Sequence, residues 1–287
     1  MKSRLWILFF GVLVAGSPVH ADESDVSAPK FVRQWGQEGE ANGEFKSPIG
    51  IAIDQRDVIY VTEFHGHRVQ KFDVDGNFLG RFPVVKHAGG IAVHPTDGRI
   101  YVAAMTLHKI AVHDSEGKPL VEFGAKGDGD GQINEPGGLM FSPDSSLYVA
   151  DQANHRMQVF TPDGKFLRKF GSHGSEPGQF GGLGKPGSRL AGPHFLIFDN
   201  DGDIYTTEGA QGRIQKLMAD GTPILAWGKN DEGPGGFGGR EKAAKNALPG
   251  PIGLALDHRG RLWVILRAAR NEVLERRWFF GMMGVGV

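Results

Sequence analysis

Short apolar runs recur along this chain in sets of four, and each set is divided by turns of Asp, Glu, Asn and Gly. The first run of a set is continuous: IGIAID, GGIAVH, GGLMFS, HFLIFD and IGLALD. A continuous run predicts a strand buried on both faces. The second (VIYVTE, RIYVAA, LYVAD, DIYTTE) is rich in β-branched and aromatic residues, which suit a pleated surface. The third (RVQKFD, KIAVHD, RMQVFT, RIQKLM) and the fourth (FLGRF, PLVEF, FLRKF, PILAW) alternate apolar and polar residues, as half-buried strands do. One aromatic anchors each set: Tyr60, Tyr101, Tyr148, Tyr205 and Trp263, at steps of 41, 47, 57 and 58 residues. Sixteen residues beyond the first four anchors lies a turn glycine (Gly76, Gly117, Gly164, Gly221). Six further on lies Phe82, Phe123, Phe170 or Trp227. Four-stranded units at such intervals predict an all-β propeller of radially arranged blades.

FVRQW, Phe31 to Trp35, has the form of a fourth strand yet precedes the first complete set. An orphan outer strand at the amino end predicts a latch that completes the last blade and leaves no edge unpaired. Beyond Trp263 the pattern fails: Leu266 stands where an acid is expected, Glu275 where Phe72 stands in the first set, and Phe279 at the turn glycine. Either NEVLERRW supplies a degenerate third strand of a five-bladed ring, or the chain stops before a normal sixth blade. The second account, a truncated or frame-shifted end, is the preferred expectation. The expected organisation is a signal peptide at 1–21, a linker at 22–30, the propeller at 31–278 and an irregular apolar tail at 279–287.

The blocks EFHGHRVQKF, DQANHRMQVF and EGAQGRIQKL each place an acid five residues before an Arg: Glu63 with Arg68, Asp151 with Arg156, Glu208 with Arg213. Blade two departs, with Ala104 and Lys109. These blocks resemble NHL repeats, a likeness that covers about residues 31 to 265 and implies a propeller of the six-bladed NHL family, five blades being recognisable here. Function does not follow from the fold alone.

Composition narrows the partners. The net charge is −1, with 32 basic and 33 acidic residues interspersed, so nothing offers the clustered cations that nucleic acid requires. Lys2 and Arg4, the apolar stretch Leu5–Ala15 and the small-residue exit at Val19-His20-Ala21 predict an export signal cleaved after Ala21. A periplasmic or secreted protein follows, with no membrane contact beyond that signal. There is no cysteine, which removes thiol nucleophiles and Cys-ligated metals.

Long Gly- and Pro-rich connections between sets (125–136, 172–193, 229–251) share one face with the turns joining strands two and three, and loops of this length are commonly functional. Candidate ligand-binding residues on that face are His194, Arg189 and Arg240, together with Arg68, Arg156 and Arg213. The three repeated arginines either form a ring that grips an anion or pin their own hairpins. His67, His108 and His155 occupy equivalent positions on successive blades, where side chains diverge, and are expected to be hairpin residues. Pro193-His194 resembles the Pro-His that opens inner strands in peptidyl-hydroxyglycine alpha-amidating lyase, where histidines hold zinc. That resemblance implies His194 as a metal ligand, with zinc or calcium as cofactor, and His87 lies two residues from an equivalent position. The leading expectation is a non-catalytic exported module, without cofactor, that binds a protein, peptide or glycan; the alternative is a metal-dependent lyase.

Overall fold

The computed structural model describes residues 34–182, 185–187, 191–229, 236–237, 250–257, 260–267 and 280–285. The signal segment, Phe31–Arg33, Arg189, Arg240 and Asn271–Trp278 lie outside them. Among the described residues no helix is long and apolar enough to cross a membrane.

Five antiparallel sheets follow one another in chain order, each ordered inner to outer as its strands occur in sequence. Blade one holds β1 (Pro48–Ile53), β2 (Ile59–Glu63), β3 (Arg68–Phe72) and β4 (Phe78–Pro83). Blade two holds β5 (Ala88–Val93), β6 (Ile100–Ala104), β7 (Lys109–His113) and β8 (Pro119–Phe123). Blade three comprises β9 (Pro136–Phe141), β10 (Leu147–Asp151), β11 (Arg156–Phe160) and β12 (Phe166–Phe170). A short parallel pair, β13 (His173–Gly174) and β14 (Phe180–Gly181), braces the next connection. Blade four is β15 (Leu196–Phe198), β16 (Ile204–Glu208), β17 (Arg213–Leu217) and β18 (Pro223–Trp227). Blade five is β19 (Gly250–Leu256), β20 (Leu262–Arg267) and β21 (Phe280–Val285). The fold is a β-propeller.

Two expectations change. Phe280–Val285, expected as irregular tail, pairs along β20 as the third strand of blade five. The third strands are not half-exposed either, since Gln70, Gln158 and Gln215 are wholly buried, for a reason given below.

Blades stack through one repeated apolar interface. The anchor tyrosine of one blade and the aromatic ending its outer strand pack on aliphatic residues of the next: Tyr60 and Phe82 on Ile91 and Val102, Tyr101 and Phe123 on Leu139 and Val149. Two tyrosine hydroxyls then reach the following blade's outer turn, Tyr101 donating to the Pro162 carbonyl at 2.7 Å and Tyr148 to that of Ala219 at 3.0 Å, whereas Tyr60 donates to Asp54 of its own blade. Near the axis the inner strands come too close for side chains. A Cβ on Gly90 would lie 2.6 Å from the Gly137 carbonyl oxygen and 2.7 Å from Gly138 Cα. The outer-strand Gly80 has open space instead, its nearest contact being the flexible Lys71 at 3.6 Å. Gly90→Ala should therefore cost about 1–3 kcal/mol through overpacking, whereas Gly80→Ala should change stability by less than about 1 kcal/mol. Urea unfolding of the two variants compares them directly.

Candidate functional site

The long-linker face is built on three copies of one polar node. Arg68 Nε donates to Glu63 at the β2–β3 hairpin, and its other nitrogens donate to the carbonyls of Glu40, Ala41 and Glu44 in the preceding connection. Gln70 completes the node. Its amide nitrogen donates to the Glu44 carbonyl and to Glu63, while its oxygen accepts from Gly43 N at 2.9 Å. The second carboxylate oxygen of Glu63 accepts the Lys46 amide. Blade three repeats this with Asp151, Arg156 and Gln158 around Asp128, Gly129, Gly131, Gln132 and Asn134. Blade four repeats it with Glu208, Arg213 and Gln215 around Ser175, Gly178, Gln179 and Gly181.

Arg68, Arg156 and Arg213 are 8%, 6% and 7% exposed, and their donors face protein oxygens. They are not a ring open to an anionic ligand; each fixes the connection that enters its own blade. Burial raises the Asp151 and Glu208 carboxyls above the usual range, against the pull of their guanidinium and amide donors. Blade two explains itself in the same terms. Its entering connection is only Val84–His87, with no loop to hold, and Ala104 and Lys109 replace the pair. Sequence reasoning missed the glutamines, although a Gln two residues after each paired Arg was in plain view in RVQ, RMQ and RIQ.

A second signal opens each long connection. Gly36, Gly124, Gly171 and Gly228 have φ of +82°, +88°, +92° and +95°, the left-handed region that favours glycine. Each lies against an apolar residue nine positions later: Phe45, Ile133, Phe180 or Phe237.

The repeated histidines also have a backbone reason. His67, His108 and His155 adopt φ of +52°, +57° and +55° at the residue before the third strand, where blade four has Gly212 at +63°. His87 holds φ +58° just before β5. Histidine tolerates this region better than most side chains. His108 Nδ1 accepts the Glu135 amide at 3.1 Å, and His155 Nε2 accepts that of Gly187 at 3.0 Å. His194 is 3% exposed. Its main chain ties blades three and four, the amide donating to Thr207 and the carbonyl accepting from Gly138. Its ring packs where a Cβ on Gly209 would sit, 2.7 Å from Cε1. His194 thus lies under the face and not open at its mouth. Among the described residues no three His, Cys, Asp or Glu side chains are arranged to hold a metal.

Antiparallel sheets joined inner to outer, with pinned connections on one face, define a propeller. The chain carries an NHL repeat: the family profile of that description matches residues 45–72, from the end of the first connection to the end of β3. Protein lin-41 of Caenorhabditis elegans is 35% identical over 81 residues, 26% of this chain and 7% of that protein. Protein brain tumor of Drosophila melanogaster is 26% identical over 117 residues, 37% of this chain and 11% of that protein. The chain thus matches only a small part of the length of these curated relatives. Among solved structures, a Bacteroides thetaiotaomicron protein of unknown function aligns with TM-score 0.57 and 19% identity, over 81% of this chain and 57% of that one. A catalytically inactive virginiamycin B lyase from Staphylococcus aureus with quinupristin gives 0.54 and 14%, over 88% and 73%. At these identities the likeness is one of fold.

Arg156→Ala should cost about 3–5 kcal/mol, because it takes the compensating cation from the buried Asp151 carboxylate and the guanidinium donors from the incoming connection. Lys109→Ala, which removes an exposed pair with Glu122, should cost less than about 1 kcal/mol; chemical denaturation separates the two.

The pH dependence has a stated sign. Desolvation, with the neighbouring His173 adding to it, holds His155 below the usual imidazole range. The unfolded chain therefore binds that proton first, and stability falls as pH drops from about 6.5 through the lower folded value. Asp151 and Glu208, being raised, act oppositely: their contribution is fullest below the unfolded carboxyl value and is lost as pH rises through the folded one. Melting temperature should decline between neutral pH and pH 5, and His155→Asn, which suits the left-handed backbone, should flatten that decline.

Proposed function

We propose that the protein is an exported NHL-repeat propeller acting as a binding and scaffold module, which holds a protein, peptide or glycan on its long-linker face. One observation carries this reading. Val84–His87 shows that four residues suffice to join two blades, yet the connections entering blades three and four are far longer and are each fixed by a buried charge pair. The carbonyl gripped by the node lies 24 residues before Arg68 and Arg156 but 34 before Arg213, a difference of ten residues held between Gly181 and His194. Extra chain on a rigid footing suits recognition better than connection. Arg189 and Arg240, which the sequence puts in the long connections, are the proposed contact residues. Export rests on the basic, apolar and small-residue order of residues 1–21.

The lyase reading has less support. It needs about three convergent ligands, and the described residues do not bring them together, so no step is derived through a metal.

The mature chain, residues 22–287, screened on peptide and glycan arrays should retain a ligand class. Arg189→Ala with Arg240→Ala should weaken that binding by about tenfold or more, as expected of interface arginines, while Arg81→Ala on β4 leaves it unchanged. Binding indifferent to the linker arginines, or stoichiometric zinc lost on His194→Ala, would reject the proposal.

A further inference from the structure

Two blade junctions are tied by an arginine laid on the anchor tyrosine. Between blades two and three Arg99 lies over Tyr101, its Cζ 5.8 Å from the ring centroid, and donates to Asp163 of the next outer turn at 3.1 Å. Between blades three and four Arg168 lies over Tyr148 at 5.4 Å and donates to the Ala219 carbonyl at 3.1 Å. The two arginines hold different places in the repeat, Arg99 two residues before Tyr101 and Arg168 two before Phe170. Between blades one and two neither place holds an arginine. Val58 stands two residues before Tyr60, and Gly80 two before Phe82.

The consequence is a cleft of about 200 Å³ lined by Arg56, Val58, Tyr60, Lys71, Leu79 and Glu116. Tyr60 does not bridge it, because its hydroxyl donates to Asp54 at 3.2 Å. The acceptors that an arginine uses at the other junctions are nevertheless in place. Ser115 lies two residues before the turn Gly117, as Ala219 does before Gly221, and Glu116 lies one before it, as Asp163 does before Gly164. Both are incompletely used. Lys71 Nζ is 3.4 Å from the Ser115 carbonyl and 3.8 Å from the Glu116 carboxylate, which is 79% exposed, and both contacts are long for a charged donor. Asp54, by contrast, is already engaged by Nε and Nη2 of Arg56.

An aromatic face beside a carbonyl and a carboxylate suits a guanidinium, which stacks and donates in one plane. Volume limits the guest: the cleft falls below the roughly 300 Å³ at which ligand pockets usually begin, so it fits one side chain and not a larger cofactor. We propose that the cleft between blades one and two binds a guanidinium from outside the chain, stacked on Tyr60 and donating to the Ser115 carbonyl and Glu116. Val58 and Leu79 then line its aliphatic stem, and the flexible Lys71 gives way on entry. The β1–β2 turn and the outer turns lie at the strand ends opposite the long connections, so the site does not depend on what those connections hold.

Titration calorimetry of the mature chain with N-acetyl-arginine amide tests the site. Saturable one-to-one binding is expected, weaker by about tenfold for N-acetyl-lysine amide, whose ammonium lacks the planar fork, and undetectable for the neutral citrulline analogue. Glu116→Gln, at an exposed position, should weaken binding by about fivefold or more. Val58→Arg, which copies Arg99, should fill the cleft, abolish binding and raise the melting temperature. Free arginine binding as tightly as the amide would make the amino acid the source of the guanidinium; weaker binding would make it a side chain of a partner. Absence of saturation, equal binding of the citrulline analogue, or binding unaltered in both variants would overturn the proposal.

Discussion

A carboxylate withdrawn from water is tolerable only when charge and hydrogen bonds are returned to it. Glu63, Asp151 and Glu208 are each completely buried, and each receives a guanidinium, a glutamine amide and a backbone N–H in return. This requirement organises the face. The guanidinium has donors to spare, and they are met by carbonyls of the incoming connection, so satisfying the hairpin and fixing the loop are one event. Removing the connection removes the need for the pair, and blade two shows that outcome in native form.

The scaffold was legible because its causes are local and repeated. Turn glycines, anchor aromatics and strand periods recur at fixed offsets, and the sheets lie where those offsets put them. The nodes were only half legible. The spacing of acid and Arg marked them, but a spacing cannot say whether an arginine points at solvent or at a carbonyl nearly thirty residues upstream. The glutamines were hidden by their polarity, since a polar residue alternating with apolar ones reads as solvent-facing until its partners are known. His194 shows the same limit: its place at the head of β15 was readable, its burial against Gly209 was not.

Blade one contradicts the rule that a continuous apolar strand is buried on both faces, and the exception is informative. Ile49, Ile51 and Ile53 are 43%, 47% and 48% exposed, yet they obey the pattern that their neighbours obey, so the sequence at β1 is that of an interior strand. What differs is the surroundings.

The nodes also uncouple two quantities that most folds tie together. Because each guanidinium grips the connection a few residues after it leaves the preceding blade, residues inserted beyond that grip leave the spacing of the sheets untouched. The closure entropy of a longer loop grows slowly, about 0.6 kcal/mol for each doubling. The segment between Gly181 and His194 is in this sense a cassette: it can lengthen, shorten or change composition while the sheets beneath it keep their spacing.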